Sequence, residues 1–544
     1  NEKTALRFIH ESGRNKTINY GELKELTGAL AGFLKDYLKE EDVLACYMPN
    51  IPETVISMLA ASSLGAVFTS TSCDFGVKGV LERFSQVEPK VLISVNAYQY
   101  GGKTFDLTPR LRELEQKIPS LQKIIVVDFI PGENRKPLNK EISWRQVVKN
   151  KKELEFRRVS FKSPVYILYS SGTTGIPKCI VHTAGGVLLQ HLKELGFHCD
   201  LDSEKSIFYF TTCGWMMWNW LVSSLFFGSR VILYEGSPAY PDIKSFLRMI
   251  NKEKINLFGT SPKFLKAWED AFGQTGKMDF PSLQTIMSTG APLMPEQFDF
   301  VYNNIKKDVQ LASISGGTDI IGCFMLGNPL LPVRRGEIQG LGLGMDVACF
   351  DEKGKEMIDG EGELVCRQSF PSRPLMFWND AGDKLINKSY FDKFPGVWHH
   401  GDFIKITKQK GVVMYGRSDA TLNPGGVRIG TAEIYRQVES LSYLDDSLCV
   451  GVNNHGDVEV VLFVKLKSGE LLDDRRREEI KTCIKKNTTP RHVPGRIYQV
   501  SEIPYTRSGK KMEMVISRLL NKKPLNNKEA VANPEVLVEY EKLI

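Results

Sequence analysis

The densest run of chemistry-bearing residues in the chain is Tyr169-Ser-Ser-Gly-Thr-Thr-Gly-Ile-Pro-Lys178. It follows the apolar stretch Val165-Tyr-Ile-Leu-Tyr169, which reads as a strand. Gly172 and Gly175 let backbone N–H groups come close to phosphate oxygens. The hydroxyls of Ser170, Ser171, Thr173 and Thr174 add donors, and Lys178 adds a point charge. A plain Ser/Thr/Gly connector is the structural alternative. A P-loop kinase or ATPase is excluded by spacing. That loop needs four residues between its glycines and a hydroxyl after its lysine, whereas here Gly172 and Gly175 enclose two residues and Cys179 follows Lys178.

Five further segments carry charge or tight turns: Ser288-Thr-Gly-Ala-Pro292, Ser315-Gly-Gly-Thr-Asp319, Trp398-His-His-Gly-Asp402, Gly416-Arg-Ser-Asp419 and Pro504-Tyr-Thr-Arg-Ser-Gly-Lys510. Taken in order with the first loop, they resemble the motifs of the acyl-adenylate-forming superfamily of acyl-CoA synthetases, luciferases and peptide-synthetase adenylation domains. The resemblance runs from the Thr17–Leu23 segment to about residue 518. It implies a two-step reaction. A carboxylate attacks the α-phosphate of ATP to give an acyl-adenylate and pyrophosphate. A thiol, that of coenzyme A, then displaces AMP.

The resemblance also implies roles. Lys510, Lys178, Thr318 and Asp319 are the expected catalytic residues, with Lys510 bridging the carboxylate and the α-phosphate. ATP is expected to meet Ser170, Ser171, Gly172, Thr173, Thr174, Gly175 and Lys178, then Gly290, Ala291 and Pro292, then Ser315, Gly316, Gly317 and Thr318. Asp402, beside the small Gly401, suits both ribose hydroxyls, Arg417 suits phosphate or ribose oxygens, and Arg428 matches the family arginine that meets the ATP phosphates. Ser315 stands where the family carries an aromatic, so adenine stacking is expected to come from elsewhere or to be weaker. Asp319 stands where the family has Glu, so Mg²⁺ is expected to be met by a shorter carboxylate, through water. Asp419 matches the hinge, and Gly425 and Gly426 match the loop lining the pantetheine channel. The adjacent His399 and His400 face opposite sides of a strand and read as structural.

Thr431-Ala-Glu433 and the segment Gly214-Trp-Met-Met-Trp-Asn-Trp220 resemble the acetyl-CoA synthetase branch. That branch closes a small acyl pocket with a Trp two residues before its Thr-Glu pair; here the position is Gly316. Loss of an indole predicts room for a longer acid, and the pattern implies acetoacetate. The expected pocket wall is Trp215, Met216, Met217 and Trp218 with Thr289 and Gly316, the alternative for the Trp/Met cluster being plain core. Thr289, the Trp215 indole N–H and backbone amides are candidate donors to the 3-oxo group. Two other readings stay open: a synthetase for another short or medium acid, and a non-catalytic nucleotide- or acyl-binding protein. The expected partners are thus small molecules, ATP, coenzyme A and the acid, with Mg²⁺ as cofactor, and neither nucleic acid nor stable membrane insertion. Oligomeric state is not legible. Use of ketone bodies in lipid and fatty acid metabolism is what the resemblance implies.

These residues need a scaffold. Short apolar runs at 90–95, 123–128, 165–170, 230–235 and 283–288 alternate with helical patterns, which predicts parallel sheets with crossover helices, an α/β architecture. From about residue 336, short alternating runs joined by Gly/Asp turns predict a small antiparallel barrel. The predicted division is an N-terminal domain over 1–417, holding two parallel α/β/α subdomains and a small distorted β-barrel, and a mobile α+β domain over 418–544. The charged 135–160 segment reads as a surface excursion.

Composition agrees with a large globular enzyme. The chain has 544 residues, 42% hydrophobic and 25% charged, which excludes fibrous and disordered classes. The net charge of +7 is mild; residues 475–528 hold fifteen Lys/Arg against four acids, a solvated face or an attraction for polyphosphate. Ten dispersed cysteines without zinc spacing predict reduced thiols and a cytosolic setting. The uncharged stretch 206–229 is long enough to span a bilayer, but Thr211, Thr212, Asn219 and two serines favour buried core. The chain opens on Asn1 rather than Met, so further residues are expected upstream.

Overall fold

The computed structural model describes residues 1–131, 135–170, 177–290, 293, 295–380, 382–418, 422, 424–426, 429, 431–438, 441–454, 457–504, 512–523 and 533–543. Contacts divide the chain into two compact units, one taking in Asn1–Cys73, Val80–Ser170 and Lys178–Tyr415, the other built on Gly416–Ile544.

The larger unit holds two parallel sheets. One has the spatial order Gln310–Ser313, Thr285–Ser288, Leu257–Thr260, Ser206–Tyr209, Arg230–Glu235, Thr4–His10 and Asn15–Asn19, parallel throughout except for its last pair. The other has eight strands, in the order Met376–Phe377, Lys178–Thr183, Pro164–Ser170, Val67–Thr71, Val43–Tyr47, Val91–Val95, Lys123–Val127 and Glu141–Ser143. Its first two pairings are antiparallel and the rest parallel. The central strands Val43–Tyr47, Val67–Thr71 and Val91–Val95 are buried at every position, which is why they read as unbroken apolar runs rather than as alternation. Crossover helices supply the cover. Ile243–Lys252 buries Phe246, Leu247 and Ile250, and starts at Asp242, whose carboxylate accepts from the Ser245 N–H at 2.7 Å. The Tyr20–Leu34 helix begins with a reciprocal capping box between Asn19 and Glu22.

Beyond residue 314 the pairing turns antiparallel. Ser315–Gly317, Gly322–Leu326 and Gly340–Leu341 form one small sheet; Val347–Phe350, Glu361–Cys366, Trp398–Ile406 and Val412–Arg417 form another. The bridge Ile338–Val412 laces them into a half-barrel. The 135–160 segment is not merely a surface excursion. Glu141–Ser143 adds an edge strand, and the short helix Trp144–Lys149 buries Trp144 and Val147. Flanking charges mask this two-residue anchor in the sequence.

In the smaller unit, Leu444–Asn454, Asp457–Leu466 and Arg496–Gln499 form a sheet between helices. The two-residue period sorts its side chains. Cys449, Val460, Leu462 and Val464 join the helices Thr431–Val438 and Asp474–Asn487. Leu448, Val450, Val461 and Phe463 join Glu513–Leu520 and Leu537–Glu541 on the other face. Among the described residues no helix is long and apolar enough to cross a membrane; the uncharged 206–229 stretch folds as a strand, the helix Met216–Val222 and a 3₁₀ turn.

Candidate active site

The site residues of the first sheet follow the carboxyl ends of its parallel strands, where open α/β sheets present ligand sites. Thr289 and Gly290 follow Thr285–Ser288, and Ser315, Gly316, Gly317 and Thr318 come just after Gln310–Ser313; all six are half-buried. The Thr289 hydroxyl donates to the Ile314 carbonyl at 2.7 Å. Its single hydrogen is therefore committed, and Thr289 is not a donor toward an acyl group here.

In the second sheet, Ser170 and Lys178 are register partners at the ends of an antiparallel pair. Ser170 is buried. The Lys178 ammonium donates to Ser389 Oγ at 2.7 Å and lies 5.2 Å from the centre of the Phe377 ring. The residues between them at 171–176 lie outside the described residues, so the expected contributions of Ser171, Gly172, Thr173, Thr174 and Gly175 stay at the level of sequence. The same holds for Ala291, Pro292, Asp419, Arg428 and Lys510, and for the side chain of Arg417, which ends the Val412–Arg417 strand.

Asp319, in a 3₁₀ turn, is buried and accepts a hydrogen bond from the Tyr390 hydroxyl through Oδ1. His182, from the Lys178–Thr183 strand, lies close enough to feel it. Burial pushes the His182 imidazole down to about 3, against the pull of the Asp319 carboxylate, so it is neutral at physiological pH. His400 and Asp402 come from the Trp398–Ile406 strand, with His400 Nε2 3.8 Å from Asp402 Oδ2. A Cβ at Gly317 would sit 3.0 Å from the His400 ring and 3.3 Å from Asp319 Oδ2, so the Ser315–Asp319 and Trp398–Asp402 segments meet around that glycine. Gly401, at φ +81°, makes the turn of the strand between His400 and Asp402. His399 turns the other way and pairs with Glu363 Oε2 at 2.9 Å.

The expected acyl wall divides. Trp215 is half-buried at the head of the Met216–Val222 helix, edge-on to Tyr209. Met216 and Met217 are buried. Trp218 is 0% exposed; its indole N–H donates to Asn50 Oδ1 at 2.9 Å and its ring stacks on Phe68. That side chain is core, as a satisfied, stacked indole must be. Gly316 also differs from expectation. A Cβ there would meet the Gly322 carbonyl oxygen at 1.9 Å and Cys323 Cα at 2.6 Å, so the neighbouring backbone fills the space a side chain would claim. The glycine serves close strand approach rather than an empty slot.

Behind that strand stands a group the sequence reading missed. Glu194, 0% exposed, accepts from the Cys323 N–H at 2.8 Å, the Gln190 amide at 2.6 Å and the Trp220 indole at 2.8 Å. Lys193 Nζ lies 3.8 Å away. Burial raises the Glu194 carboxyl above its ordinary value, against the pull of Lys193 and of these donors. A carboxyl raised on folding contributes stability below its unfolded value that is lost as pH rises through the folded one. Burial lowers Lys193, which acts with the opposite sign in a higher window, toward its ordinary value. Glu194→Gln is therefore expected to melt lower than wild type at pH 5 and to close the gap, by about 1–2 °C per pH unit, as pH rises toward 7. Thermal melts of both proteins across that range check this; a pH-independent gap contradicts it.

In the smaller unit, the bridge Leu422–Ile429 closes a hairpin, and the Gly425 N–H within it donates to Asp457 Oδ1 at 2.9 Å; Gly426 ends the same turn. Among the described residues no group of three His, Cys, Asp or Glu side chains is arranged to hold a metal.

Comparison with known proteins gives one answer. Residues 1–373 match the AMP-binding enzyme family. An acetoacetyl-coenzyme A synthetase of Rhizobium meliloti (strain 1021) is 46% identical over 98% of this chain and 83% of its own length. An acetoacetyl-CoA synthetase of Xenopus tropicalis is 41% identical over 99% of this chain and 82% of its own. The solved structure of acetoacetyl-CoA synthetase from Streptomyces lividans superimposes with a TM-score of 0.76 at 39% identity, covering 100% of this chain and 84% of that one. With its motifs in order on this fold, the chain belongs to the AMP-binding enzyme family, in the branch that the acetoacetyl-CoA synthetases represent.

Proposed function

We propose that this chain joins acetoacetate to coenzyme A at the expense of ATP. A carboxylate oxygen of the acid attacks the α-phosphorus and pyrophosphate leaves; the thiol sulfur then attacks the adenylate carbonyl, its proton is lost, and AMP leaves. The observation that carries the reading is that Lys178 and Asp319, from two separate segments, meet one aromatic cluster of Phe377, Tyr390 and Trp398, the last of which opens the strand that carries Asp402. The names of the relatives support acetoacetate as the acid.

Lys178 neutralises phosphate charge beside the 171–176 loop, Thr318 and Asp319 hold the α-phosphate region, Asp402 with Arg417 holds the ribose, and Lys510 steadies the charge that develops in the first step. Mg²⁺ binds through few protein carboxylates and several waters and phosphates. The buried Asp319, one carboxylate oriented by the Tyr390 hydroxyl, fits that demand. When bound, the metal neutralises phosphate charge. Residues 1–417 act as the adenylating domain and 418–544 as a domain that turns about Asp419 between the two half-reactions, Gly425 and Gly426 admitting the pantetheine arm and Arg428 meeting phosphate. All ten cysteines are free and nine are buried, which supports a reducing, cytosolic setting. The product supplies lipid synthesis from a ketone body.

The test is acid-dependent AMP release with ATP, Mg²⁺ and coenzyme A across acetate, propionate, butyrate, acetoacetate, 3-hydroxybutyrate and octanoate. A maximum in kcat/KM at acetoacetate is expected. A maximum at butyrate or octanoate keeps the chemistry and overturns the substrate. Release with none of them overturns both.

A further inference from the structure

Ser389 and Tyr390 are consecutive at the end of the short helix Lys384–Tyr390, and each holds one residue of the candidate site. Ser389 Oγ accepts from Lys178 Nζ at 2.7 Å, across 211 residues of chain. Tyr390 donates its phenolic hydrogen to Asp319 Oδ1, across 71. Neighbouring side chains on a helix diverge by about 100°. Two successive residues can therefore reach two different segments, and here those segments are a hairpin of the eight-stranded sheet and the turn that follows the seven-stranded one.

The helix that carries the pair is itself fixed. Asp380 Oδ2 accepts from the Leu385 N–H at 2.9 Å, which anchors the first turn, and Ile386 is buried on the same face as Tyr390, four residues away. The Tyr390 ring stacks on Trp398 at 3.8 Å between centres and 13° between planes, and meets the edge of Phe377 at 6.0 Å. Trp398 begins the strand that carries His400 and Asp402, so the helix is registered against the Asp402 segment too. Phe377, whose ring face lies under the Lys178 ammonium, completes the link.

We propose that Ser389 and Tyr390 are a positioning pair that presets Lys178 and Asp319 for ATP. The proposal rests on the adenylation reading of those two residues. A free lysine head loses about 2 kcal/mol of rotamer entropy when it is ordered on a ligand. Ser389 removes part of that cost in advance by holding the ammonium through one of its hydrogens. Tyr390 fixes one Asp319 oxygen and leaves Oδ2 on the Gly317 side, where the Ser315–Asp319 and Trp398–Asp402 segments meet.

The full chain is assayed as Ser389→Ala, Ser389→Thr and Tyr390→Phe, by calorimetry with ATP and Mg²⁺ in the absence of acid, by acid-dependent AMP release, and by thermal melts. Ser389→Ala is expected to weaken ATP binding about tenfold, the loss of one hydrogen bond to a charged group, with Ser389→Thr restoring it. Tyr390→Phe keeps the stacked ring and is expected to lower kcat about tenfold or more with the KM for coenzyme A unchanged. Both are expected to melt within about 2 °C of wild type. Ser389→Ala added to Lys178→Ala, and Tyr390→Phe added to Asp319→Asn, are expected to change nothing further beyond twofold. Single variants within twofold of wild type, or fully additive double variants, overturn the pair while leaving the adenylation reading standing. Failure of wild type to release AMP with any acid overturns that reading instead; the calorimetry then decides the pair alone, a tenfold loss in Ser389→Ala supporting it and unchanged affinity overturning it. A wild-type chain that binds no ATP overturns both.

Discussion

Lys510→Ala is expected to lower acid-dependent AMP release by about a thousandfold or more, with ATP affinity and melting temperature close to wild type. Phosphoryl-group chemistry offers a protein little covalent work, and one well-placed cation at the developing charge is worth about 10³–10⁵ in rate. A thousandfold corresponds to about 4 kcal/mol of transition-state stabilisation, more than the net value of an ordinary hydrogen bond. The expectation rests on the Pro504–Lys510 segment, since residue 510 lies outside the described residues. If the smaller unit turns about Asp419, Lys510 serves the first step alone. The variant supplied with ready-made acyl-adenylate and coenzyme A then still makes thioester at a rate near wild type. Equal losses in both half-reactions contradict that division of labour. AMP release within tenfold of wild type removes Lys510 from the chemistry and leaves adenylation to the remaining charged groups.

The parts of this molecule that were legible in its sequence are those whose physics is local. Buried parallel strands such as Val91–Val95 and Lys123–Val127 show as unbroken apolar runs. The 169–178 segment and its companion motifs are contiguous, so each can be read as a motif without knowing what lies beside it. Contacts made across the fold were not legible. Nothing near Ser389 in the chain announces Lys178, and nothing near Glu194 announces Cys323; those pairings exist only once both sheets are closed. Trp218 shows the same limit in reverse. Its neighbours Trp215 and Met216 share a composition suited to a pocket wall, but a helix turns consecutive residues to different sides, and Trp218 is turned to Phe68 and Asn50.

Gly316 carries the sharpest disagreement between the two levels, and a single methyl group resolves it. Read from the sequence, the position lacks a bulky wall, and Ala is a harmless partial refill that trims the acid pocket. Read from the structure, Gly316 is paired with Cys323, and the new Cβ would lie 1.9 Å from the Gly322 carbonyl oxygen. Backbone cannot rotate out of the way as a side chain can. Nor can the Gly322–Leu326 strand simply retreat. A Cβ on Gly322 would itself stand 2.7 Å from Gln190 and 2.9 Å from Glu194, and the Glu194 carboxylate already binds the Cys323 N–H. Gly316→Ala is therefore expected to destabilise the chain by about 3 kcal/mol, the upper range for overpacking, and to pull Thr318 and Asp319 out of place. A misplacement of about 1 Å in a positioned group lowers rate about a hundredfold, so kcat/KM is expected to fall by that much for every acid alike. Melting temperatures and kcat/KM for acetate, butyrate and acetoacetate measure both. A variant that melts with wild type and shifts its preference toward acetate returns the pocket argument to the side chain; a uniform loss with a lowered melting temperature assigns Gly316 to the approach of two strands, and leaves the choice of acid to the walls around Trp215 and Met217.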